Sequence, residues 1–389
     1  VQAKIISVTN PRQKPRTAFV YADELSQYQL SAEHPLRPIR LHHMHELMKA
    51  AGILDAANVD TLVPRTATRT EIESSHDPGY VSIVEAISKG AIAPGMGEFG
   101  LGTPDNPVRP GMYEQTALCV GATLIASELV TSGKADVAFA PTGGVHHHAM
   151  PAHASGFGIF NDAVIAMNAM VDAGLRVAYI DIDCHHGDGV QLGHYDSDQV
   201  LTISIHESGQ WLFPGTGFVQ EIGTGDGTGY SVNVPLAPYT QDDDWHALFD
   251  EVIPPLVRAF KPDVLFTQLG IDTHFQDPLT HLSLTTQGFN LVVQKLGALG
   301  AEIGKWVAVG GGGYDLSAVA RSWTMALATM AKFELDDQVP LSFTSLEGLT
   351  TFDDQPPAPT EAQYLSEIQQ HNKSSFDEVR KLIFPKFGI

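Results

Sequence analysis

The densest run of reactive side chains in the 389 residues is Tyr179-Ile180-Asp181-Ile182-Asp183-Cys184-His185-His186-Gly187-Asp188-Gly189. A charged group inside an apolar strand is costly unless it is paired or binds a metal. Asp181, Asp183 and His185 occupy alternate positions, which a strand places on one side. Asp183 and His185 then form an oxygen-and-nitrogen ligand pair suited to zinc. A strand-end aspartate capping the next helix explains one such residue, but not the whole run. A catalytic zinc needs about three protein ligands and one open position. Asp272, just beyond an apolar run, is the best third ligand, although an aspartate there also suits a helix start.

Two further segments follow apolar runs. Gly143-Gly144-Val145-His146-His147-His148 offers metal ligands, acid–base groups or a polar loop. Gly310-Gly311-Gly312-Gly313-Tyr314 lets backbone approach a ligand closely and leaves Tyr314 as its one reactive side chain, a phenol able to donate to a developing oxyanion. No Lys-Ser/Thr follows the glycines, which excludes a phosphate-binding P-loop. The four segments together supply a Lewis-acid site, a general base and an oxyanion donor, the parts of a metal hydrolase.

These segments need strands to carry them. Apolar runs at 17–21, 136–140, 176–183, 200–206, 263–269 and 306–309 read as buried strands. Helical patterns cover 40–51, 112–132, 161–173, 243–260, 286–303 and 316–332. The alternation predicts a mainly parallel sheet covered by helices on both faces, with ligands bound beyond the carboxyl ends of the strands. Segments 95–110 and 336–359 read as long loops, and a last helix spans about 361–382. No repeat or linker separates two cores, so one domain is expected over 1–389, its core at about 17–332 and segment 333–389 packed on it.

The formal net charge is −22 and only 17% of residues are charged. An acidic chain gains nothing from a phosphate backbone, so direct nucleic-acid binding is not expected, whereas cationic substrates such as lysine-rich peptides or polyamines suit it. Cys119 and Cys184 give no disulfide framework. The start, Val1-Gln2-Ala3-Lys4-Ile5, has no signal-peptide pattern, and no run has the roughly 20 apolar residues of a membrane span. The expectation is a soluble, cytoplasmic protein without a membrane partner.

The ordered set Tyr21, His34-Pro35-Leu36-Arg37-Pro38-Ile39-Arg40, Gly100-Leu101-Gly102-Thr103, Ala154-Ser155-Gly156-Phe157, Asp181 to Gly189, Phe213-Pro214-Gly215-Thr216-Gly217, Leu269 to Pro278 and Gly310 to Tyr314 resembles the zinc-dependent histone deacetylase family, in particular its bacterial acetoin-utilisation branch. The resemblance runs from about Thr17 to Lys332. It implies an arginase/deacetylase-like three-layer α/β/α sandwich, with zinc, or iron(II), held by Asp183, His185 and Asp272. It implies a catalytic histidine pair, and the spacing to Ser155 puts that pair on His147 and His148; the third histidine leaves His146 with His147 as the other register. Asp181 is then the partner of His147, Asp188 that of His148, and Tyr314 the transition-state tyrosine. The resemblance further implies a substrate tunnel of Gly156, Phe157 and Phe213 with Leu279 at its rim, a substrate-holding Asp105, an inner arginine at Arg40, and structural potassium near Asp181, Asp183, His185, Ser204 and Ile205.

The implied reaction is hydrolysis of N-acetyl amides, releasing acetate from acetyl-lysine in proteins or peptides, acetyl-CoA synthetase being the partner that the acetoin branch suggests. Alternatives are an acetylpolyamine amidohydrolase, a dimanganese arginase-like ureohydrolase, and a catalytically silent acetyl-lysine-binding protein. His42, His43 and His45 lack a His-Glu-x-x-His pattern and read as helix positions in solvent or core. His186 and Cys184 should point away from the site. His206 and His274 lie near strand ends and could touch it, and Asp242-Asp243-Asp244 suits a helix N-terminus.

Overall fold

The computed structural model describes residues 14–389 except Tyr28, Pro356 and 358–360. The start of the chain, 1–5, and part of the loop predicted at 336–359 lie outside the described residues. Among the described residues, eight strands form one sheet: β1 (Thr17–Val20), β2 (Val59–Leu62), β3 (Val137–Ala140), β4 (Val177–Asp181), β5 (Val200–Glu207), β6 (Ser231–Leu236), β7 (Val264–Gln268) and β8 (Trp306–Val309). Their order is β2-β1-β3-β8-β7-β4-β5-β6, and every neighbouring pair is parallel. The helices are α1 (Ile39–Ala50), α2 (Arg69–Glu73), α3 (Pro78–Ser88), α4 (Met112–Thr131), α5 (Asp162–Asp172), α6 (Asp188–Gly193), α7 (Asp242–Phe260), α8 (Thr286–Ile303), α9 (Leu316–Ala331), α10 (Ala362–Leu382) and α11 (Phe384–Phe387).

Alternate side chains of each strand enter opposite layers, because the side-chain period of a strand is two. Phe19, Phe139, Ile180 and Ile203 face Met44 of α1, Phe249 of α7, Val292 of α8 and Trp323 of α9. Val20, Ala138, Tyr179 and Val309 face Val84 of α3, Val120 of α4 and Met167 of α5. Burial on both faces is why these strands read as continuous apolar runs. The result is the expected three-layer α/β/α sandwich, with a sheet that is wholly rather than mainly parallel.

Three differences from the sequence reading have local causes. β2 was not predicted: it is an edge strand with two exposed residues. β6 was not predicted either, because Asn233 and Pro235 break its apolar pattern and such a proline is tolerated only at an edge. The strand predicted over 176–183 ends at Asp181. Beyond it the backbone N–H groups turn onto side chains, Asp183 N to Asp181 Oδ1 at 3.1 Å and His185 N to Asp183 Oδ1 at 3.0 Å. Asp183 and His185 therefore converge through a hydrogen-bonded loop and not through strand alternation. The 95–110 loop also contains a short 3₁₀ turn, Met96–Phe99.

α10 packs on β6 and α7. Asn372 accepts from Ala237 N at 2.9 Å and donates to Thr240 Oγ1 at 2.9 Å, and Val379, Ile383 and Phe384 join the core. Among the described residues, no helix is long and apolar enough to cross a membrane.

Candidate active site

β3, β8, β7 and β4 are consecutive neighbours at the centre of the sheet. The loops leaving their carboxyl ends carry, in that order, the histidine run, Tyr314, Asp272, and Asp183 with His185. Sheet order thus brings together four segments that are far apart in sequence.

Asp183, His185 and Asp272 present one ligand atom each, all within 4.8 Å of one another. His185 Nδ1 lies 2.9 Å from Asp272 Oδ2 and 3.2 Å from Asp183 Oδ1. The outer lone pairs of the carboxylates are occupied. Asp272 Oδ1 accepts from Cys184 N at 2.7 Å, and Asp183 Oδ2 accepts from Gly312 N at 2.7 Å and Gln268 Nε2 at 2.6 Å. Gly312 is obligatory here, since a Cβ would collide with the Asp272 carboxylate. Burial and the charge of Asp183 push Asp272 up to about 6. Burial opposes the imidazolium of His185, but its bonds to Asp183 and Asp272 hold its pKa well above the ordinary value. Two buried carboxylates against one imidazole leave the cluster short of positive charge, which a divalent cation would supply.

His147 and His148 both line the adjoining cavity, and their ring centroids are 4.0 Å apart. His147 Nδ1 pairs with Asp181 Oδ2 at 2.9 Å, and His148 Nδ1 with Asp188 Oδ1 at 2.7 Å. With Nδ1 engaged, Nε2 is the nitrogen each ring offers to the cavity. Burial disfavours the charge on His147, yet the Asp181 and Asp183 carboxylates outweigh it and raise its pKa to about 9. Burial, reinforced by the charge of His147, lowers His148 to about 4. His146 is placed elsewhere: it is buried, accepts from Ile159 N at 3.3 Å, and does not line the cavity.

Tyr314 lines the same cavity, and burial together with the charges of Asp272 and Asp183 keeps its phenol protonated. The cavity measures about 230 Å³, and Asp105, Gly156, Phe157, Phe213 and Leu279 also line it. Phe213 meets His148 edge-on at 5.0 Å and Phe157 meets Tyr314 edge-on at 5.8 Å. Phe157 holds a left-handed backbone, φ 68°, a conformation that costs a non-glycine residue on the order of 1 kcal/mol and clusters at ligand sites. Arg40 does not line the cavity. It is buried, donates to Gly313 O at 2.9 Å and lies over the Trp323 ring, so it braces the glycine loop from behind.

Of the residues implied for potassium, Asp181 and Ser204 are register partners of β4 and β5 and line a small cavity with Tyr179, His186, Gln191 and Asn233. Asp183, His185 and Ile205 do not line it. His186 bonds Thr216 and Gln191, His206 bonds Ser204 and Gly217, and His274 pairs with Asp354. None of these three lines the active cavity. Cys184 is buried with its thiol toward Glu207. His45 packs its ring, tilted, against Tyr21 with centroids 4.4 Å apart, and does not line the cavity.

Sequence reasoning missed Gln268, Tyr179 and Asp277. Gln268 ends an apolar strand and grips Asp183; a buried amide among valine and leucine was a usable signal. The Tyr179 hydroxyl donates to Asp181 Oδ2 at 2.6 Å. Asp277 accepts from Tyr314 N at 2.8 Å and Leu279 N at 3.0 Å, and burial with the charge of Asp272 pushes it up to about 8.

A family profile described as the Histone deacetylase domain matches residues 34–330. The chain is 40% identical over 329 residues to the acetoin utilization protein AcuC of Bacillus subtilis, covering 83% of this chain and 84% of that one. It is 36% identical over 337 residues to its namesake in Staphylococcus aureus strain MRSA252, covering 85% of each. Among solved structures, an HDAC homolog from Aquifex aeolicus superposes with a TM-score of 0.81 at 28% identity, over 92% of this chain and all of that one. An HDAC homolog complexed with SAHA gives 0.80 at 28% identity, over 93% of this chain and 100% of the other.

Proposed function

The chain belongs to the histone deacetylase family, and on that premise we propose that it is a zinc-dependent lysine deacetylase, hydrolysing the acetyl amide of acetyl-lysine side chains in proteins. The observation that carries this reading is the convergence on one cavity of Asp183 and His185, two carboxylate-backed histidines and Tyr314, with Asp272 closing the ligand set.

The residues fit a divalent cation, because their donor atoms converge and their charges leave it room. When bound by Asp183, His185 and Asp272, zinc supplies Lewis acidity, acidifying water and drawing electron density from the acetyl carbonyl. The chain's own groups do the rest. Phe157 and Phe213 present apolar walls to an unbranched aliphatic chain and exclude water around it. Asp105 and Leu279 meet the substrate at the mouth. His147 and His148 take a proton from the attacking water and return one to the departing nitrogen. Water oxygen bonds to the carbonyl carbon, the C–N bond breaks, and acetate and a free amine leave. Tyr314 donates its hydroxyl hydrogen to the carbonyl oxygen as negative charge develops there, and its high pKa keeps that hydrogen in place. Asp181 and Asp188 orient the two imidazoles and offset their charge.

Among the described residues, Asp183, His185 and Asp272 form the one converging group of three metal-binding side chains, which favours a mononuclear amide hydrolase over a dimanganese ureohydrolase. The test is acetate release from an acetyl-lysine peptide, with an acetylpolyamine and arginine alongside. The reading expects the peptide to be turned over with the highest kcat/KM. Preference for the polyamine would redirect the substrate assignment, and urea from arginine would overturn the reaction.

A further inference from the structure

The loop that presents Tyr314 is built almost wholly of glycine. Gly310 to Gly313 contribute no side chain to pack, and Gly311 and Gly313 adopt φ of 147° and 132°, open to glycine. Such a segment keeps one shape only if it is held from outside. Each hold is visible. Gly310 O accepts from Leu269 N at 2.8 Å, and Gly312 O from Ile271 N at 3.0 Å. Gly312 N donates to Asp183 at 2.7 Å, and Gly313 O accepts from Arg40 at 2.9 Å. The hold at the tyrosine itself is Tyr314 N to Asp277 Oδ2 at 2.8 Å.

The other oxygen of the same carboxylate, Oδ1, accepts from Leu279 N at 3.0 Å. Tyr314 and Leu279 both line the cavity, whereas Asp277 does not. One buried side chain thus ties the oxyanion donor to the substrate rim. Asp277 belongs to the segment that begins at Asp272, where the Thr280 hydroxyl closes back on the Asp272 carbonyl, so the brace is anchored at a metal ligand. An apolar side chain here would leave the Tyr314 and Leu279 N–H groups without an acceptor, so the carboxyl serves the backbone of two cavity-lining residues at once.

We propose that Asp277 is a positioning residue for the deacetylation reaction, fixing the Tyr314 phenol relative to the substrate rim through its two backbone hydrogen bonds. This rests on the deacetylase reading above. A misplacement of about 1 Å at a transition-state donor is enough to cost on the order of a hundredfold in rate.

The test is a double-mutant cycle of Asp277→Asn with Tyr314→Phe in the full-length zinc-loaded protein, using one acetyl-lysine peptide. An asparagine offers an oxygen to one N–H and an NH2 group to the other, so one hold is lost and replaced by repulsion. Asp277→Asn is expected to lower kcat by roughly ten- to a hundredfold with KM within about threefold, and by no more than about twofold in the Tyr314→Phe background, because a residue acting through the phenol has nothing left to position. Amide hydrogen exchange at Tyr314 should quicken in Asp277→Asn, while exchange across 183–190 stays as in the parent. Equal losses in both backgrounds, or unchanged exchange at Tyr314, would overturn the proposal. If Asp277→Asn does not fold, Asp277→Ser, which keeps one acceptor, carries the same cycle; failure of both to fold also overturns it, since the carboxylate would then hold the domain and not the tyrosine. A parent enzyme without activity on the peptide instead removes the deacetylase reading, and the exchange comparison still reports on the brace.

Discussion

Alanine at His146, His147 and His148, one at a time, separates the members of the catalytic pair from their neighbour. His147 and His148 line the cavity and each has a carboxylate behind it, at 2.9 and 2.7 Å. Removing either ring breaks the proton-handling unit, so kcat/KM should fall on the order of a hundredfold or more, which is about 2.7 kcal/mol of transition-state stabilisation. Metal content should persist, because neither ring belongs to the ligand set. His146 is equally buried but outside the cavity, and its Nδ1 accepts from Ile159 N. Its loss leaves a void and a stranded N–H, so His146→Ala should cost roughly 2–4 kcal/mol of stability while kcat/KM stays within about fivefold of the parent. The assay is initial-rate acetate release from one acetyl-lysine peptide, with elemental analysis and a melting curve on each variant. A dead but metal-loaded His146→Ala beside an active His148→Ala would refute the pairing with Asp188.

Two further expectations follow from single contacts. Tyr314→Phe removes one hydroxyl from a ring otherwise packed by Leu30, Leu36 and Val145; kcat should fall about a hundredfold with the melting temperature and metal content kept, and near-parent turnover would take the phenol out of the mechanism. Asp354 is partly buried, which favours its neutral form, yet bonds from His274, Thr286 N and Arg321 hold its carboxyl well below the ordinary range. A depressed folded pKa means stability that is present above about pH 4 and lost as pH falls further. Asp354→Asn should therefore flatten the acid limb of a denaturant-stability profile and lose roughly 2–4 kcal/mol at pH 7; an acid limb as steep as the parent's would contradict this.

The parts of the site most legible in the sequence were those whose side chains are costly where they stand. Asp183 and His185 beside an apolar run, and Tyr314 after four glycines, announce chemistry because nothing structural requires them there. The reason inferred for the first pair was nevertheless incorrect: β4 stops at Asp181, and the ligands converge through a loop folded onto its own carboxylates. The central strands were readable because both faces are buried, whereas β2 and β6, at the sheet edges, lack the continuous apolar run. Sheet order was not readable, and it alone brings the loops of β3, β8, β7 and β4 together. Asp277 escaped notice because its partners are backbone N–H groups, which leave no trace in residue type.

The central claim is a mononuclear metal hydrolase acting on acetyl-lysine, and one titration tests it most directly. The purified chain is stripped with a chelator, and acetate release from an acetyl-lysine peptide is followed as zinc is returned. The account predicts loss of activity on stripping and recovery that saturates at one equivalent of zinc per chain, with Asp272→Asn failing to recover at that stoichiometry. Full activity in the stripped protein, or recovery that requires two manganese ions per chain, would contradict it.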